Sequence, residues 1–360
     1  MDRHEKAMQL LHRGTVIPAI PLALHSDRTL DEEGQRTLIR YYLAAGVGGL
    51  AVAVHTTQFE IRKPEIGLFE PVLRLAAQEI DAFEARTGRT VVRVAGACGD
   101  TAQACKEAQT ARNLGFDAVL LSPGGLADLT EQQLVDRTRA VAEHLPVIGF
   151  YLQTACGGRR LSCEYWRAVA DTPNVAAIKC AAFNRYQSID LVRGVAASRR
   201  RDEIALYTGN DDNIVADLLT PYRFPGVQGG NELRFVGGLL GHWSVWTRRV
   251  VQLYEELRQY RDGRDIPARL LALGAAITDC NGAFFDPAHN FAGCIPGVHE
   301  VLRRQGLMAG TWCLDPDEVL SPGQAEEIDR VYAMYPDLND DAFVKEHLQE
   351  WKAGTVQRRS

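Results

Sequence analysis

The sequence predicts an α/β fold, a TIM-type (β/α)₈ barrel with a C-terminal helical extension. Eight short, nearly continuous apolar runs recur between residues 15 and 240, which is typical of parallel strands buried on both faces. Longer amphipathic stretches, typical of helices, separate these runs. The main alternative, an open doubly wound sheet, is disfavoured because no G-x-G-x-x-G turn follows an early run.

The predicted strands are rich in valine, isoleucine, leucine and alanine. They cover residues 15–21, 48–54, 90–97, 118–123, 146–152, 175–181, 204–209 and 234–240. Eight alternations of strand and helix favour closure into a parallel barrel. In such a barrel the chemistry lies at the C-terminal ends of the strands, so the residues after each run are the candidates for function.

Helix signals fill the intervals between the strands. Residues 1–14 form a short amphipathic helix, and residues 31–46 have an acidic start and a glycine after the last turn. Residues 101–114 begin with a threonine, a good N-cap, and residues 129–145 open with the spacing of a capping box. Each of these segments therefore has a physical reason to begin or end where it does.

We expect the barrel, with its short N-terminal helix, to occupy residues 1–243 and a helical region to occupy residues 244–360. A loop insertion rich in proline and glycine interrupts the rhythm at residues 220–232. The final residues, 354–360, are expected to be disordered. The C-terminal helices are predicted near residues 243–261, 266–279, 296–306, 322–334 and 340–352.

Composition excludes several classes of partner. The formal net charge is −6, so no sequence-wide basic field draws the chain to nucleic acid or anionic lipid. The longest apolar runs, about ten residues, are too short to span a bilayer, and the N-terminus lacks the features of a secretory signal. Eight cysteines without a CxxC pair indicate free thiols in a reducing compartment. We therefore expect a cytoplasmic protein.

Lys179 is the principal candidate for catalysis. The chain has six lysines against 34 arginines, and this one lies in the apolar run NVAAIKCAAF. Inside the barrel, desolvation would disfavour the ammonium form and lower the pKa. A neutral amine can attack a ketone, and the protonated imine then serves as an electron sink. The alternatives are pairing with a buried carboxylate or an amine that reaches solvent from the strand end.

Other strand ends supply further candidates. Tyr151 on strand five either transfers protons through its phenol or belongs to the core. After strand two, Thr56 and Thr57 either hold a substrate carboxylate or cap a turn. His55 is an acid or base, a substrate contact or a satisfied polar residue. Asn210, after strand seven, either faces a ligand or belongs to an ordinary βα turn.

Taken in order, these segments resemble the dihydrodipicolinate synthase / N-acetylneuraminate lyase family of class I aldolases. The resemblance runs from about residue 14 to about residue 335. The points of contact are GVGGLAVAVHTTQFE, VAGACGDTAQA, FYL, NVAAIKCA and TGNDD. Each segment is short, but their order along the chain is specific.

The resemblance implies a role for each candidate. Lys179 would form the imine, Tyr151 would be the proton-transfer phenol, and Thr56 and Thr57 would hold the carboxylate. His55 and Asn210 are retained as predicted substrate contacts. The resemblance also implies a TIM barrel with a C-terminal helical domain, assembled as a homodimer or homotetramer. No metal and no organic cofactor is expected, because the substrate is held covalently.

The sequence departs from the family pattern at three places. The family's Thr-Thr-Gly-Glu segment becomes Thr-Thr-Gln-Phe-Glu, and Gly124 and Gly125 replace tyrosines of the synthase branch. The arginine that binds the synthase's aldehyde is replaced by Cys156, with Arg159 and Arg160 nearby. We therefore expect a roomier pocket and a different second substrate from that of the synthase.

The sequence thus predicts a Schiff-base lyase that acts on pyruvate or a derived 2-oxo acid. The bond made or broken is C–C in an aldolase, or C–O in a dehydratase of a 2-oxo-3-deoxy sugar acid. One alternative is a non-catalytic barrel that binds an oxo acid. Another is a metal-dependent aldolase that uses His55 and His242, although no set of ligands with metal spacing accompanies them.

Overall fold

Eight parallel strands form the centre of the protein, at the positions predicted from the apolar runs. The computed structural model describes residues 1–227, 232–261, 263 and 265–354. The strands are β1 (Val16–Pro18), β2 (Gly49–Val52), β3 (Val92–Ala97), β4 (Ala118–Leu121), β5 (Val147–Leu152), β6 (Val175–Ala181), β7 (Ala205–Thr208) and β8 (Phe235–Leu240). All eight predicted strands are therefore confirmed.

The strands follow one another around a barrel. Each strand from β2 to β8 pairs in parallel with the next, and β8 pairs with β1. A bridge between Ala19 and Ala51, with Ile20 N donating to Ala51 O at 3.0 Å, joins β1 to β2. The predicted (β/α)₈ barrel is confirmed.

Among the described residues that precede β8, eight α-helices accompany the strands. They are α1 (Arg3–Arg13), α2 (Glu32–Ala45), α3 (Phe69–Thr87), α4 (Thr101–Asn113), α5 (Glu131–Ala142), α6 (Cys163–Ala170), α7 (Arg185–Ala196) and α8 (Ile214–Leu219). The predicted capping box is present, because Thr130 N donates to Gln133 Oε1 at 2.8 Å and Gln133 N donates to Thr130 Oγ1 at 3.2 Å.

Helix α1 closes the N-terminal end of the barrel. Ala7 and Leu11 are buried among the residues that fill the barrel interior. From β7, the hydroxyl of Tyr207 donates to Leu11 O at 2.7 Å. Arg3 of α1 forms ion pairs with Glu84 and Asp117. The opposite, C-terminal end of the strands is therefore the end available for a binding site.

Five more helices pack against the barrel after β8, as predicted. They are α9 (Thr247–Arg258), α10 (Ala268–Phe285), α11 (Cys294–Arg304), α12 (Gln324–Met334) and α13 (Asp341–Lys352). Their apolar residues join the layer that surrounds the barrel in one continuous core. Helix α13 packs on α2, where the rings of Trp351 and Tyr41 lie 5.5 Å apart. Among the described residues, no helix has the length and apolarity to cross a bilayer.

Two segments predicted from the sequence fall partly outside the described residues. Within the 220–232 segment, Tyr222 and Leu233 form an antiparallel bridge across its two ends, while residues 228–231 lie outside the description. The end of the predicted disordered tail, residues 355–360, also lies outside it.

The inward and outward faces of β5 and β6 determine what the site contains. Phe150 lies opposite Lys179, and Tyr151 lies opposite Cys180. Phe150 belongs to the cluster inside the barrel, whereas Tyr151 and Cys180 belong to the cluster between barrel and helices. Because successive side chains of a strand point to opposite faces, Phe150 and Lys179 face the interior while Tyr151 and Cys180 face outward.

Candidate active site

A cavity at the C-terminal end of the barrel opens to solvent and has about 560 Å³ of unfilled space, part of which is bulk solvent. Strand ends and βα turns form most of its wall, and the helices after the barrel complete it. The lining residues are Ala19, Val54, His55, Thr56, Leu120, Phe150, Leu152, Gln153, Cys156, Lys179, Ala181, Phe183, Gly209, Asp211, Gly241, Phe285 and Cys294.

Lys179 points into this cavity from β6 and is only 8% exposed. Its Nζ lies 4.4 Å from the centre of the Phe150 ring. Burial lowers the pKa of the amine to about 8, although the nearby carboxyl of Asp211 and the thiol of Cys156 oppose this shift. A useful fraction of the amine is therefore neutral near physiological pH, as a nucleophilic lysine requires.

Gly209 makes room for the lysine. A β-carbon at this position would lie 2.5 Å from Lys179 Cε and 2.9 Å from the β-carbon of Ala181. Such a side chain would overlap the stem of the lysine, so the close approach of β7 to Lys179 requires glycine. The extended course of the amine into the cavity depends on this contact.

Asp211 is the carboxyl group of the cavity. It is 5% exposed, and its Oδ1 accepts a hydrogen bond from His242 N at 2.8 Å. Burial raises the pKa of Asp211 to about 7, while the positive charge of Lys179 opposes the shift. The cavity thus holds an amine and a carboxyl that both titrate near neutral pH, which is characteristic of functional sites.

Of the predicted substrate contacts after β2, His55 and Thr56 line the cavity, whereas Thr57 lies behind the wall. Burial and the charge of Lys179 lower the pKa of His55 to about 4, so its imidazole is neutral. The hydroxyl of Thr56 donates to Ala19 O at 2.7 Å, and that of Thr57 donates to Ile20 O at 2.8 Å. Both hydroxyl protons are bound to main-chain carbonyls of the segment after β1, so the threonines fix the turn after β2 against it.

The prediction that Tyr151 faces Lys179 is wrong. Its side chain points out of the barrel, where the hydroxyl accepts a hydrogen bond from Leu161 N at 3.2 Å and the ring lies 5.2 Å from that of Trp166. The reason is strand parity, because Phe150 takes the inward position opposite the lysine. The phenol expected beside the amine is replaced by a phenyl ring.

The prediction that Asn210 contacts the substrate is also corrected. Asn210 is fully buried outside the cavity lining. Its Oδ1 accepts from Phe183 N at 3.0 Å, and its Nδ2 donates to Asp217 Oδ2 at 2.8 Å and to Ser188 Oγ at 3.3 Å. Because these bonds occupy the amide, Asn210 supports the turns after β6 and β7.

Two of the family positions that differ in this sequence, Gly124 and Cys156, lie at the cavity. A β-carbon on Gly124 would lie 3.4 Å from the side chain of Leu152, so this glycine adjoins the wall, and Cys156 is part of the lining. Arg159 donates to Ala127 O at 3.0 Å, outside the lining, and Arg160 is exposed. Among the described lining residues, none is an arginine.

Several lining residues were not identified from the sequence. Asp211 lies in the TGNDD segment, directly after the predicted candidate Asn210. Phe150 can be assigned to the cavity from the sequence only if it is known which side chains of β5 face the barrel interior. Phe285 and Cys294 come from α10 and α11, more than 100 residues after Lys179, and no local pattern marks them.

The two histidines considered for a metal site do not converge. His55 lines the cavity, whereas the ring of His242 stacks on Phe284 at 5.6 Å and its Nδ1 lies 3.3 Å from Asn281 Nδ2. Within the described part of the chain, no three histidine, cysteine or acidic residues are grouped as metal ligands would be.

The fold and the cavity together define a class of protein, a (β/α)₈ barrel that buries a lysine amine at the mouth of its sixth strand. The chain belongs to the dihydrodipicolinate synthetase family, because the model of that family matches residues 12–227, more than half of the sequence. The resemblance noted from the sequence segments is therefore confirmed.

Similar proteins agree with this assignment. The N-acetylneuraminate lyase of Enterobacter sp. (strain 638) is 26% identical over 207 residues, which are 57% of this chain and 65% of that protein. Dihydrodipicolinate synthase from Oceanobacillus iheyensis has a TM-score of 0.71 at 17% identity, covering 93% of this chain and 100% of that one. YagE, a prophage protein from E. coli K12 in complex with pyruvate, has a TM-score of 0.69 at 18% identity, covering 90% and 98%.

Proposed function

We propose that this protein is a Schiff-base-forming lyase that acts on pyruvate or a 2-oxo acid derived from it. The observation that carries the proposal is the buried amine of Lys179, with its lowered pKa, at the C-terminal end of the barrel. Family membership supports it, as does the fold shared with YagE, which was solved in complex with pyruvate.

The chemistry follows from the amine. Nζ of Lys179 attacks the 2-oxo carbon, the carbinolamine loses its hydroxyl as water, and a protonated imine remains. The imine withdraws electrons from C3, so a C3 proton can leave to form an enamine. The enamine carbon either attacks a carbonyl, forming a C–C bond, or expels a hydroxyl from the adjacent carbon as water. In the reverse direction the same intermediates cleave the C–C bond.

Reduction with borohydride tests the proposal. Borohydride added with pyruvate should fix one pyruvate-derived group on Lys179, identified by peptide mass mapping. The Lys179→Ala variant should remain folded, take up no label and lose turnover by more than about 10³-fold. The exposed Lys63 offers a matched control, since Lys63→Ala should behave as the wild type. An unlabelled Lys179 or an unchanged rate in Lys179→Ala would refute the assignment.

The second candidate function is a non-catalytic barrel that binds an oxo acid. Phe150 favours it, because a phenyl ring opposite the lysine cannot carry a proton. Turnover separates the two candidates. A binding protein would form a reversible imine with pyruvate but would not convert any member of a broad panel of aldehydes and oxo acids.

We also propose that the enzyme works without a metal or organic cofactor, in the cytoplasm, as a homodimer or homotetramer. The eight free cysteines fit a reducing compartment, and the carbonyl substrate is activated covalently. Dialysis against a chelator should leave turnover unchanged, and light scattering should give a mass of two or four chains. Loss of activity on chelation would instead favour the metal-dependent reading.

A further inference from the structure

The wall of the cavity next to Lys179 is apolar. On β5, Leu152 is the next inward residue after Phe150, and on β6 Ala181 is the next inward residue after Lys179. Phe183 follows in the turn after β6, and Phe285 reaches the cavity from α10. These side chains surround the space that the second reactant must occupy beyond the imine.

Charged partners are scarce in the same wall. Among the described lining residues, the side chains that can carry charge near neutral pH are Lys179 and Asp211, because His55 is neutral. Once the amine of Lys179 has become a protonated imine, its positive charge stabilises the bound oxo acid and is not available to the second reactant. A carboxylate on the second reactant would then be buried without a cationic partner and near Asp211, which is energetically costly.

Uncharged polar partners are also few. The hydroxyl proton of Thr56 is already bound to a main-chain carbonyl, which leaves the amide of Gln153 and the neutral imidazole of His55 as the main uncharged polar groups of the lining. A polyhydroxylated chain would therefore bury several hydroxyls without partners. An aromatic or branched aliphatic group would instead contact Leu152, Phe183 and Phe285 and gain from burial.

We propose that the second reactant, or the fragment released by cleavage, is a neutral and predominantly apolar aldehyde, aromatic or branched aliphatic. This inference rests on the proposed function and specifies its substrate class.

Matched aldehydes test the substrate class. The rate of addition of pyruvate is measured with benzaldehyde against 4-carboxybenzaldehyde, and with 3-methylbutanal against succinic semialdehyde, with glyceraldehyde as the hydroxylated comparison. The neutral member of each pair should have a kcat/KM at least about tenfold higher. A preference for the carboxylated aldehydes or for glyceraldehyde, or no reaction with any of the five, would overturn the inference.

Borohydride labelling of Lys179 with pyruvate alone distinguishes failure of this inference from failure of the proposed function. If labelling succeeds and the aldehyde preference is reversed, the lyase assignment survives and only the substrate class is wrong. The Cys156→Arg variant adds a cation to the wall and should shift the preference at least about tenfold toward 4-carboxybenzaldehyde. Cys156→Met is the uncharged control, and equal ratios in both variants would count against the inference.

A second inference comes from the register of β5 and β6. Because Phe150 faces Lys179 and Tyr151 faces outward, another group must transfer protons to and from the imine. The thiols of Cys156 and Cys294 have raised pKa values because of burial, so they stay protonated. The imidazole of His55, with a pKa of about 4, is a weak base.

Asp211 is placed to perform this transfer. It shares the cavity with the lysine and follows by two residues Gly209, where an added β-carbon would overlap the lysine stem. Its Oδ1 is held by His242 N, which fixes the carboxyl. The geometry points to Asp211 as the acid–base catalyst: its carboxyl gives a proton to the departing hydroxyl of the carbinolamine, and its carboxylate then takes the proton from C3 of the imine.

Neighbouring carboxyls provide a test of this role. Asp211→Asn can keep the acceptor for His242 N but cannot carry the proton, so kcat should fall by about 10²- to 10⁴-fold and its pH dependence near pH 7 should disappear. Asp212→Asn, next along the chain, should keep the wild-type rate and a pH dependence near neutrality, moved to slightly lower pH because the charge of Asp212 raises the pKa of Asp211. Circular dichroism checks that both variants are folded.

Restoring a phenol provides an independent readout. In the double variant Asp211→Asn with Phe150→Tyr, the phenol faces Lys179 and should recover at least about tenfold of the lost kcat. A purely structural role for Asp211 would not be rescued in this way. Wild-type turnover and pH profile in Asp211→Asn, an equal loss in Asp212→Asn, or no rescue by the phenol would each contradict the assignment.

Discussion

Lys179 is buried, which favours the neutral amine, and it lies near the carboxyl of Asp211, which favours the charged amine. Its burial lowers the pKa of the amine to about 8, while Asp211 restrains the shift. The amine is therefore neutral in about one molecule in ten at pH 7, compared with a few in ten thousand for an exposed lysine. The contact with the Phe150 ring, 4.4 Å from Nζ, stabilises the charged form that remains.

The pH dependence of imine formation should reflect this pKa. Only the neutral amine attacks a carbonyl, and only the protonated Asp211 can give a proton to the departing hydroxyl, so the rate of labelling of Lys179 by pyruvate and cyanoborohydride should rise with pH up to about pH 7 and fall above about pH 8. Labelling is quantified by mass spectrometry at each pH. A rate that continues to rise above pH 10 would show that the pKa is not lowered.

Gly209 gives a second prediction at this scale. In Gly209→Ala the added methyl group would lie 2.5 Å from Lys179 Cε, so the amine must move. We expect imine formation to fall by more than about 10²-fold, because small displacements of a reacting group cost this much. Gly226→Ala is the control, since a β-carbon there meets no atom within 4 Å. Labelling at the wild-type rate would disprove the requirement.

A residue of the site could be predicted only where its neighbours in the sequence mark it as unusual. Lys179 stands out because lysine is rare in this chain and its neighbours are apolar. The direction in which Tyr151 points could not be predicted, because FYL contains two adjacent aromatic residues. A shift of the strand by one position would turn Tyr151 into the barrel and Phe150 out of it. The hydrogen bonds of Asn210 could not be predicted either, because its partner Ser188 lies on another element.

At the scale of elements, strands and helices were predictable because each has its own hydrophobic period and its own end signals. The eight apolar runs became the eight strands, and Thr130 and Gln133 formed the expected capping box. The position of α1 was less predictable. Its amphipathic pattern indicates a helix, but only the structure shows that its apolar face closes the N-terminal end of the barrel.

Substitution of Leu11 tests this role of α1. Leu11 is buried against the barrel interior, so Leu11→Ala should lower the free energy of unfolding by about 2–5 kcal/mol. The exposed Gln9 lies on the same helix, and Gln9→Ala should change it by less than about 0.5 kcal/mol. Urea denaturation measures both variants. Equal stabilities would show that α1 does not contribute to the barrel core.

At the scale of the whole molecule, the C-terminal helices complete the barrel in two ways. Helices α10 and α11 supply Phe285 and Cys294 to the cavity. Helix α13 binds α2, because Trp351 packs on Tyr41 and Arg40 donates to Trp351 O at 2.8 Å. The extension was predictable from its helical periodicity, but its contacts join residues that are distant in sequence and leave no local pattern.

Substitution of Trp351 tests whether the barrel and the C-terminal helices unfold together. Trp351→Ala removes a fully buried ring and should cost about 3–5 kcal/mol of stability. Because the core is continuous, calorimetry should show one transition that moves to lower temperature, with barrel and helices melting together. Two separated transitions in the variant would indicate that the helical region unfolds on its own.

The bond between Arg40 and Trp351 joins positions 311 residues apart. A ribosome releases the N-terminal end first, so α2 must wait until residue 351 has been synthesised before its partner emerges from the exit tunnel. A nascent chain stalled before residue 294 would carry Lys179 without the part of the cavity wall that Cys294 supplies. Lys179 in such a chain should therefore form an imine with pyruvate more slowly than in a chain that includes α11.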